Sequence, residues 1–488
     1  MNNIDIIKTR IISLINKELH DNIVDIKTIP QSGSSRKYFR IITETTSYIG
    51  TYNDNIEENN AFIHFSKHFR NANLPVPEVI AIDNDNKCYI QTDLGDEFLF
   101  DYAKNCISND SFDDITLELY KKAIDNLVLF QIKGHESLDY SVAYPSPSFN
   151  FQSIIDDLNY FKYFFLKLNE EITFNETRLN KDFTEIAQYA MSAPNDFFMY
   201  RDFQSRNIII KNNDTYFIDY QGGRKGPLQY DIISLLYQVK AQIPKNIRGI
   251  LLQHYKDNLS KYINLYDVNF DKYYNTFVLL RLLQVLGAYG FRGLIQKKQH
   301  FIESIPYAID ELIDLKDNLD FPFATDELSA ILSQFDKMKN KYQNQDYNTL
   351  TVNINSFSYK NGGVPQDLSG NGGGFVFDCR SLPNPGRYDE YKHLTGEDSD
   401  VQNFLKDKSE VIIFFENAKA LVYQSVDNYI QRGFKNLSVS FGCTGGQHRS
   451  VYLAQQMAIS LTNDYPEITI KLNHIVQNKH YTYKSRNE

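Results

Sequence analysis

Three oxygen-bearing side chains stand at spacings that suit phosphate chemistry: Asp202, Asn207 and Asp219, within FFMYRDFQSRNIIIKNNDTYFIDYQ, Phe197 to Gln221. FFMY reads as a buried strand, and a polar loop opens at Arg201. NIII and TYFID form a hairpin closed by the turn residues Asn212, Asn213 and Asp214. A hairpin brings its ends together, so Asn207 at its start and Asp219 at its far end converge. Hard oxygen donors in that arrangement suit Mg²⁺, which takes one or two protein ligands beside phosphate oxygens and water. Asp202, five residues upstream of Asn207, stands where it would orient and deprotonate an attacking hydroxyl. A plain turn would explain the residue types but not their order.

A second group lies in LSVSFGCTGGQHRS, Leu437 to Ser450. LSVSF reads as a strand and VYLAQQMAISLTND, after Ser450, as a helix, so GCTGGQHR is a glycine-rich turn at a helix amino terminus. Free amides, the helix dipole, Arg449 and a hydroxyl of Thr444 or Ser450 all favour an anion there, and phosphate is the natural guest. Gly442, Gly445 and Gly446 let the backbone approach it. Cys443 and Arg449 also fit the C-x5-R-[ST] loop of cysteine phosphatases, a short pattern in which a thiolate attacks phosphorus.

The elements that must hold these groups follow from composition and period. The chain has 488 residues and 56.8 kDa, room for about three structural units. With 42% hydrophobic and 23% charged residues it is globular, not disordered. A net charge of −10 argues against a bulk grip on nucleic acid. Four cysteines are too few for a disulfide scaffold and predict reduced thiols in a cytoplasmic protein. No stretch approaches the ~20 apolar residues of a membrane helix, so no membrane partner is expected. MNNIDIIKTRIISLINKELH predicts an amphipathic helix, not a signal peptide. Residues 23–93 alternate short β-like runs with one helical stretch near Glu57 to Arg70, and helical periods dominate after Leu94. DKMKNKYQNQDYN, residues 336–348, lacks an apolar period and predicts a linker. From Thr349 to Glu488 there are 14 basic and 14 acidic residues, so the whole −10 sits in the first part. The closing KLNHIVQNKHYTYKSRNE mixes Lys, Arg, His and Tyr; it reads as a solvated tail before it reads as a nucleic-acid track.

The order of motifs in the first part, SSRKYFR (Ser34 to Arg40), NLPVPEVIA, DLG, RDFQSRN and IDYQ…GP..YD, resembles the aminoglycoside-phosphotransferase-like small-molecule kinases. It is most similar to the anomeric kinases of N-acetylmuramate and N-acetylglucosamine. The resemblance spans about residues 5–335 and implies an α+β protein-kinase-like two-lobed domain. Residues 1–335 would carry it, with an N-lobe of about 1–95 and a C-lobe of about 96–335. ATP and Mg²⁺ would be its cofactors and a sugar its substrate. By that likeness Asp202 is the catalytic base and Asn207 and Asp219 hold the metal. Ser34, Ser35, Arg36 and Arg40 would lie over the nucleotide's phosphates, Gln91 and Asp93 would belong to the hinge at adenine, and Asp231 would brace the catalytic loop. Kinases of this fold carry a Lys on the third strand, but SYIGTYND has none. Arg36, Lys37 or Arg40 would replace it, with Glu57 or Glu58 as the helix partner, and a nucleotide-binding protein without turnover stays open.

GCTGGQHRS, with VNINSFSYKNG, FVFDCRSLPNPGR and LTGED, resembles the carboxy-terminal domain of the RapZ RNase adapter proteins over about residues 350–475. That implies a smaller α/β domain, residues 349–488, binding a phosphorylated amino sugar, with RNA as a further expected partner. Thr444, Gly445, Gly446, His448 and Arg449 would hold the phosphate, and Asp378, Arg380, Asn384 and Arg387 would line the same pocket. Cys379 departs from the residue expected after that Asp. The family's phosphate-loop NTPase domain has no counterpart, since G-x4-G-K-[ST] is missing from this sequence. The combined expectation is a sugar kinase fused to a phosphosugar sensor. A regulatory nucleotide-binding protein and an aminoglycoside phosphotransferase remain the alternatives.

Overall fold

The computed structural model describes residues 3–19, 21–29, 36–106, 111–318, 321–323, 325–343, 350–367, 369–370, 374–432, 434–465 and 468–483. They form two compact units, one of residues 1–291 and 301–343, the other of 292–300 and 344–488.

The first unit opens with helix α1 (Asn3–Glu18), whose Ile7, Ile11, Leu14 and Ile15 recur at helical spacing and are buried. They cover one face of an antiparallel sheet ordered β1-β2-β3-β5-β4: β1 (Ile23–Ile29), β2 (Lys37–Thr43), β3 (Ser47–Tyr52), β4 (Val79–Ile82) and β5 (Cys88–Thr92). Strand alternation gives α1 the side chains of Phe39, Ile41, Cys88 and Ile90. Gly50, in register with Phe39, leaves room for this packing; a Cβ there would stand 2.9 Å from Ile41 Cδ1. The alternate residues face the other way, where Tyr89 stacks on Phe62 of helix α2 (Ile56–Asn71) at 5.2 Å. Asn55 caps α2 by accepting from the Glu58 amide, which puts Glu57 and Glu58 in the first turn, where the helix dipole favours them.

The helical lobe follows: α3 (Leu99–Cys106), α4 (Asp114–Ile132), α5 (Phe151–Phe164), α6 (Glu176–Met191), α7 (Gln229–Leu236), α8 (Lys245–Leu259), α9 (Phe270–Tyr289), α10 (Gln299–Ile302), α11 (Ile305–Asn318), α12 (Asp326–Leu332) and α13 (Phe335–Gln343). Two strand pairs interrupt it, β6 (Phe197–Met199) with β9 (Arg224–Gly226), and β7 (Ile208–Lys211) with β8 (Asp214–Phe217). The β7–β8 turn is Asn212 and Asn213 alone, both left-handed at φ 56° and 61°; Asp214 already pairs with Lys211.

Two expectations are corrected here. The linker assigned to 336–348 is helical through Gln343, because Met338 and Tyr342 fall on a buried stripe of α13; residues 344–349 lie outside the described residues. Among the described residues one helical run, Phe270–Ile295, is long and apolar enough to cross a membrane by length and composition, contrary to the expectation of none. Most of its apolar window is buried, and it carries Arg281 mid-helix.

The second unit is built on one sheet ordered β11-β12-β10-β13-β14: β10 (Thr351–Ser358), β11 (Gly374–Asp378), β12 (Asn436–Cys443), β13 (Thr469–His474) and β14 (Lys479–Tyr483). The first four strands run parallel and β14 antiparallel. Helices α14 (Ser399–Lys406), α15 (Ser409–Arg432) and α16 (Arg449–Asp464) complete its core, where Val352, Ile354, Val439, Val451 and Met457 are buried. The closing run is thus an edge strand pair, not the solvated tail expected; residues 484–488 lie outside the described residues.

Candidate functional site

In the first unit the loop that carries Asp202 is pinned from beneath. The Tyr200 and Arg201 amides donate to Asp231 of α7 at 2.7 and 2.9 Å, so Asp231 braces the loop. Full burial pushes the Asp231 carboxyl up to about 7 against those two bonds. Arg201, at φ 78°, lays its side chain inward, where Nη2 meets both oxygens of Asp157 on α5 at 2.7 and 2.8 Å. Its guanidinium lies over the rings of Phe149 and Tyr230. Asp202 is left with 46% of its side chain exposed.

Asn207 and Asp219 meet beside it. Asn207 Nδ2 donates to Asp202 O at 2.9 Å and reaches Asp219 Oδ2 at 3.4 Å, while Ile218 N donates to Asn207 O. With the amide nitrogen so engaged, the Asn207 amide oxygen and the Asp219 carboxylate are the hard donors available. Asp219 sits at φ 70°, a strained conformation for a non-glycine residue and common at functional positions.

On the sheet side Arg36 is the buried cation nearest Asp219. It is 3% exposed; Nη2 donates to Glu58, Nη1 to Asp219 Oδ1 at 3.0 Å and to Tyr38 OH at 3.3 Å. Asn53 holds the second Glu58 oxygen at 2.8 Å. Arg40 lies elsewhere, on Asp93 (2.7 and 3.1 Å) and Asp96, and Ser47 also donates to Asp93. Burial opposes ionisation of Asp93, but the Gly95 amide and Arg40 hold its carboxyl below the ordinary range. Gln91 is buried, with Nε2 on Thr51 Oγ1 and Oε1 without a partner. Ser34 and Ser35 lie outside the described residues.

Residues not singled out in the sequence complete the other side of Asp202. Arg281 of α9 is buried, with Nη2 4.0 Å from Asp202 Oδ1 and Nη1 on Gln284 Oε1 at 3.0 Å. Arg224 of β9 is buried too, and Gln221 Nε2 donates to Asp219 Oδ1 at 2.8 Å. A lone charge inside FVLLRLLQVLG was the available signal for Arg281.

In the second unit the parallel strands deliver their carboxyl ends to one edge, where open α/β sheets bind ligands. Asp378 ends β11 and Cys443 ends β12, one position past the Asp378–Gly442 pairing. Ser358 at the end of β10 donates to Thr444 O at 2.8 Å, and Gln477 to Gly446 O at 3.0 Å. Gly446 needs its φ of 67°, and no atom stands within 4 Å of where a Cβ on Gly445 would project. His448 Nε2 donates to Tyr391 O at 2.8 Å, and its ring lies beside Gly386. Asn384 Oδ1 accepts from the Gly386 amide, while Arg387 is exposed. Arg380 pairs with Asp378 and lies 4.1 Å over the Tyr359 ring.

Arg449 differs from the expectation. Its Nη1 donates to the carbonyls of Arg380 and Leu382 at 2.8 and 3.0 Å, clamping the 380–382 turn to α16; Nε is buried without a partner. Cys443 receives the Gly446 amide and contacts Ser450 Oγ at 3.1 Å. Burial opposes ionisation, yet Ser450, those amides and Arg449 bring the thiol below its ordinary value. Cys379 is buried and inert, its thiol pushed far up by burial.

Residues 350–477 match the family model of the RapZ C-terminal domain. A nucleotide-binding protein of Staphylococcus aureus strain JH9 is 32% identical over 179 residues, 37% of this chain and 56% of that protein, and that of strain Newman matches equally. The chain thus spans little more than half the length of these curated relatives. Similar solved structures include a Plasmodium vivax ethanolamine kinase (14% identity, TM-score 0.43, 60% of this chain and 82% of that one). A Cryptosporidium parvum choline kinase gives 15% identity and TM-score 0.44, over 67% of this chain and 99% of that one. The first unit is an antiparallel sheet lobe followed by a helical lobe, and residues 350–477 match the RapZ C-terminal domain.

Proposed function

We propose that residues 1–335 are an ATP-dependent phosphotransferase whose acceptor is the hydroxyl of a sugar, an amino sugar of cell-wall metabolism. The observation that carries this is the meeting of Asn207 Nδ2 with Asp202 O at 2.9 Å and Asp219 Oδ2 at 3.4 Å. The oxygen donors of Asn207 and Asp219 fit Mg²⁺, which when bound would neutralise phosphate charge. The half-exposed Asp202 carboxylate would accept the acceptor hydroxyl's proton as its oxygen attacks the γ-phosphorus, the bond to the β,γ-bridging oxygen breaks and ADP leaves. Arg36, fixed by Glu58, is the cation within reach of the phosphates, and Asp231 keeps the loop from shifting. Positioning and charge neutralisation are what such a transfer requires of the protein.

Steady-state ATP consumption over a panel of N-acetylated sugars tests this reading. Turnover is expected with at least one sugar, falling about 10²- to 10⁴-fold in Asp202→Ala. Nucleotide binding with no turnover on any sugar would favour the regulatory alternative, which draws on the third strand lacking a Lys. Resistance conferred on a host would instead favour an aminoglycoside acceptor.

For the second unit we propose a phosphorylated amino sugar as ligand, its phosphate over the 444–446 amides. Lys479 and Tyr481 are engaged on Glu397 within the unit, so a phosphosugar rather than RNA is the ligand proposed. Glucosamine 6-phosphate should raise the melting temperature of the full chain, and Thr444→Pro should remove the rise. All four cysteines are free and buried, which fits the reducing cytoplasm in this reading.

A further inference from the structure

Three arginines crowd the helical-lobe side of Asp202, and their charges do not balance. Arg224 is 6% exposed, yet its contacts are all neutral: Gly222 O at 3.0 Å, Ser146 Oγ at 3.3 Å and Tyr144 O at 3.4 Å. Among the described residues no carboxylate pairs with it. Burial, and then the charge of Arg201, pull its guanidinium down to about 10. Arg201 gives Nη2 to Asp157, but its Nη1 is buried without a partner. Arg281, 3% exposed, stands 4.0 Å from Asp202 and is otherwise held by Gln284 and Tyr230. Three guanidinium groups therefore face two carboxylates, Asp157 and Asp202. Asp231, the next carboxyl, accepts from two main-chain amides. A buried cation without a counter-charge is costly, and removing its would-be partner is what makes it so.

We propose that this wall is a receptor for an oxyanion, a carboxylate or a phosphate, carried by the acceptor molecule, with Arg224 as its specificity-determining residue. The proposal rests on the phosphotransferase reading. The arginines come from β9, α9 and the loop that opens at Arg201, with the 144–146 segment against them, whereas Asn207, Asp219, Arg36 and Glu58 gather on the sheet side. The anion is therefore placed with the acceptor and not with the nucleotide. Guanidinium forks match both carboxylate and phosphate, and a polycation would add to the charge already in excess.

Full-length protein would be tested with N-acetylglucosamine, its 3-O-lactyl ether, its 6-phosphate and kanamycin, by initial rates with Mg·ATP and by calorimetric binding without nucleotide. One of the two anionic sugars should show a KM or Kd at least tenfold below that of the neutral parent; which one identifies the anion. Arg224→Gln should erase that preference, weakening the anionic sugar at least tenfold more than the neutral one, and Arg281→Gln, checked for a native melt, should weaken it likewise. Preference for the neutral sugar or for kanamycin would overturn the proposal. So would an equal loss for neutral and anionic sugars in folded Arg224→Gln, which would assign the guanidinium to the transferred phosphoryl group or to the fold. Absence of turnover would sink the kinase reading alone, because the binding comparison still decides between anionic and neutral ligands.

Discussion

With Arg36 removed, Glu58 and Asp219 would face the same buried space with no cation between them. Arg36→Ala should therefore raise the KM for ATP by about tenfold, since two carboxylates would then face the phosphates without the cation that offsets them. Thr51 lies on the third strand, in register with Tyr38 and Tyr89, on the face where Arg36 bonds Tyr38. Thr51→Lys in the Arg36→Ala background should restore part of the ATP affinity; fluorescent-nucleotide titration checks both. Asp231 gives a pH signature. Its folded carboxyl titrates near 7 and its unfolded one near 3.8, so the native state binds the extra proton between those values. Its contribution to stability is present below about 4 and is lost as pH rises to about 7, and denaturant titrations of Asp231→Asn should lack that slope. Asp202, Asn207 and Asp219 were legible in the sequence because one loop and one hairpin fix their spacing. Arg36 was one of three candidates, because its partners lie 22 and 183 residues away. Arg281 left only the signal of a lone charge in an apolar run, and Arg224 left none, because nothing local says that a buried charge lacks a partner.

At the scale of elements, the second site depends on a close backbone approach at the end of β12. A Cβ on Gly442 would run into the rings of Phe357 and Tyr359. Gly442→Ala should destabilise this unit by about 1–3 kcal/mol, as overpacking does, read from its denaturation midpoint. Strand–turn–helix order around GCTGGQHRS was readable from the switch in apolar period. The closing strand pair was not, since its polar residues conceal an alternation in which Ile470, Leu472 and His474 are buried. The α13 stripe was missed for a related reason: Phe335, Met338 and Tyr342 are three apolar positions among many polar ones.

For the whole molecule, the cores decide cooperativity. One is built on Phe65, Phe69, Phe130 and Tyr220, another on Val352, Val439, Val451 and Met457, each within its own unit. Two separately cored units predict two calorimetric transitions, since cooperative unfolding follows the core. Mg·ADP should move one and glucosamine 6-phosphate the other, each by mass action. A single transition moved by both ligands would refute independent units. Composition and charge place a division near residue 345, and the compact units part between residues 343 and 344, with residues 292–300 grouped in the second.

A phosphoryl group should reach an acceptor oxygen only while Asp202 can take the hydroxyl's proton. Phosphorus NMR of the full chain with Mg·ATP and the sugar panel measures that. The predicted result is a new phosphomonoester resonance that requires both acceptor and Asp202 and is lost in Asp202→Ala. ADP with inorganic phosphate alone, or the same ester formed equally by Asp202→Ala, would contradict it.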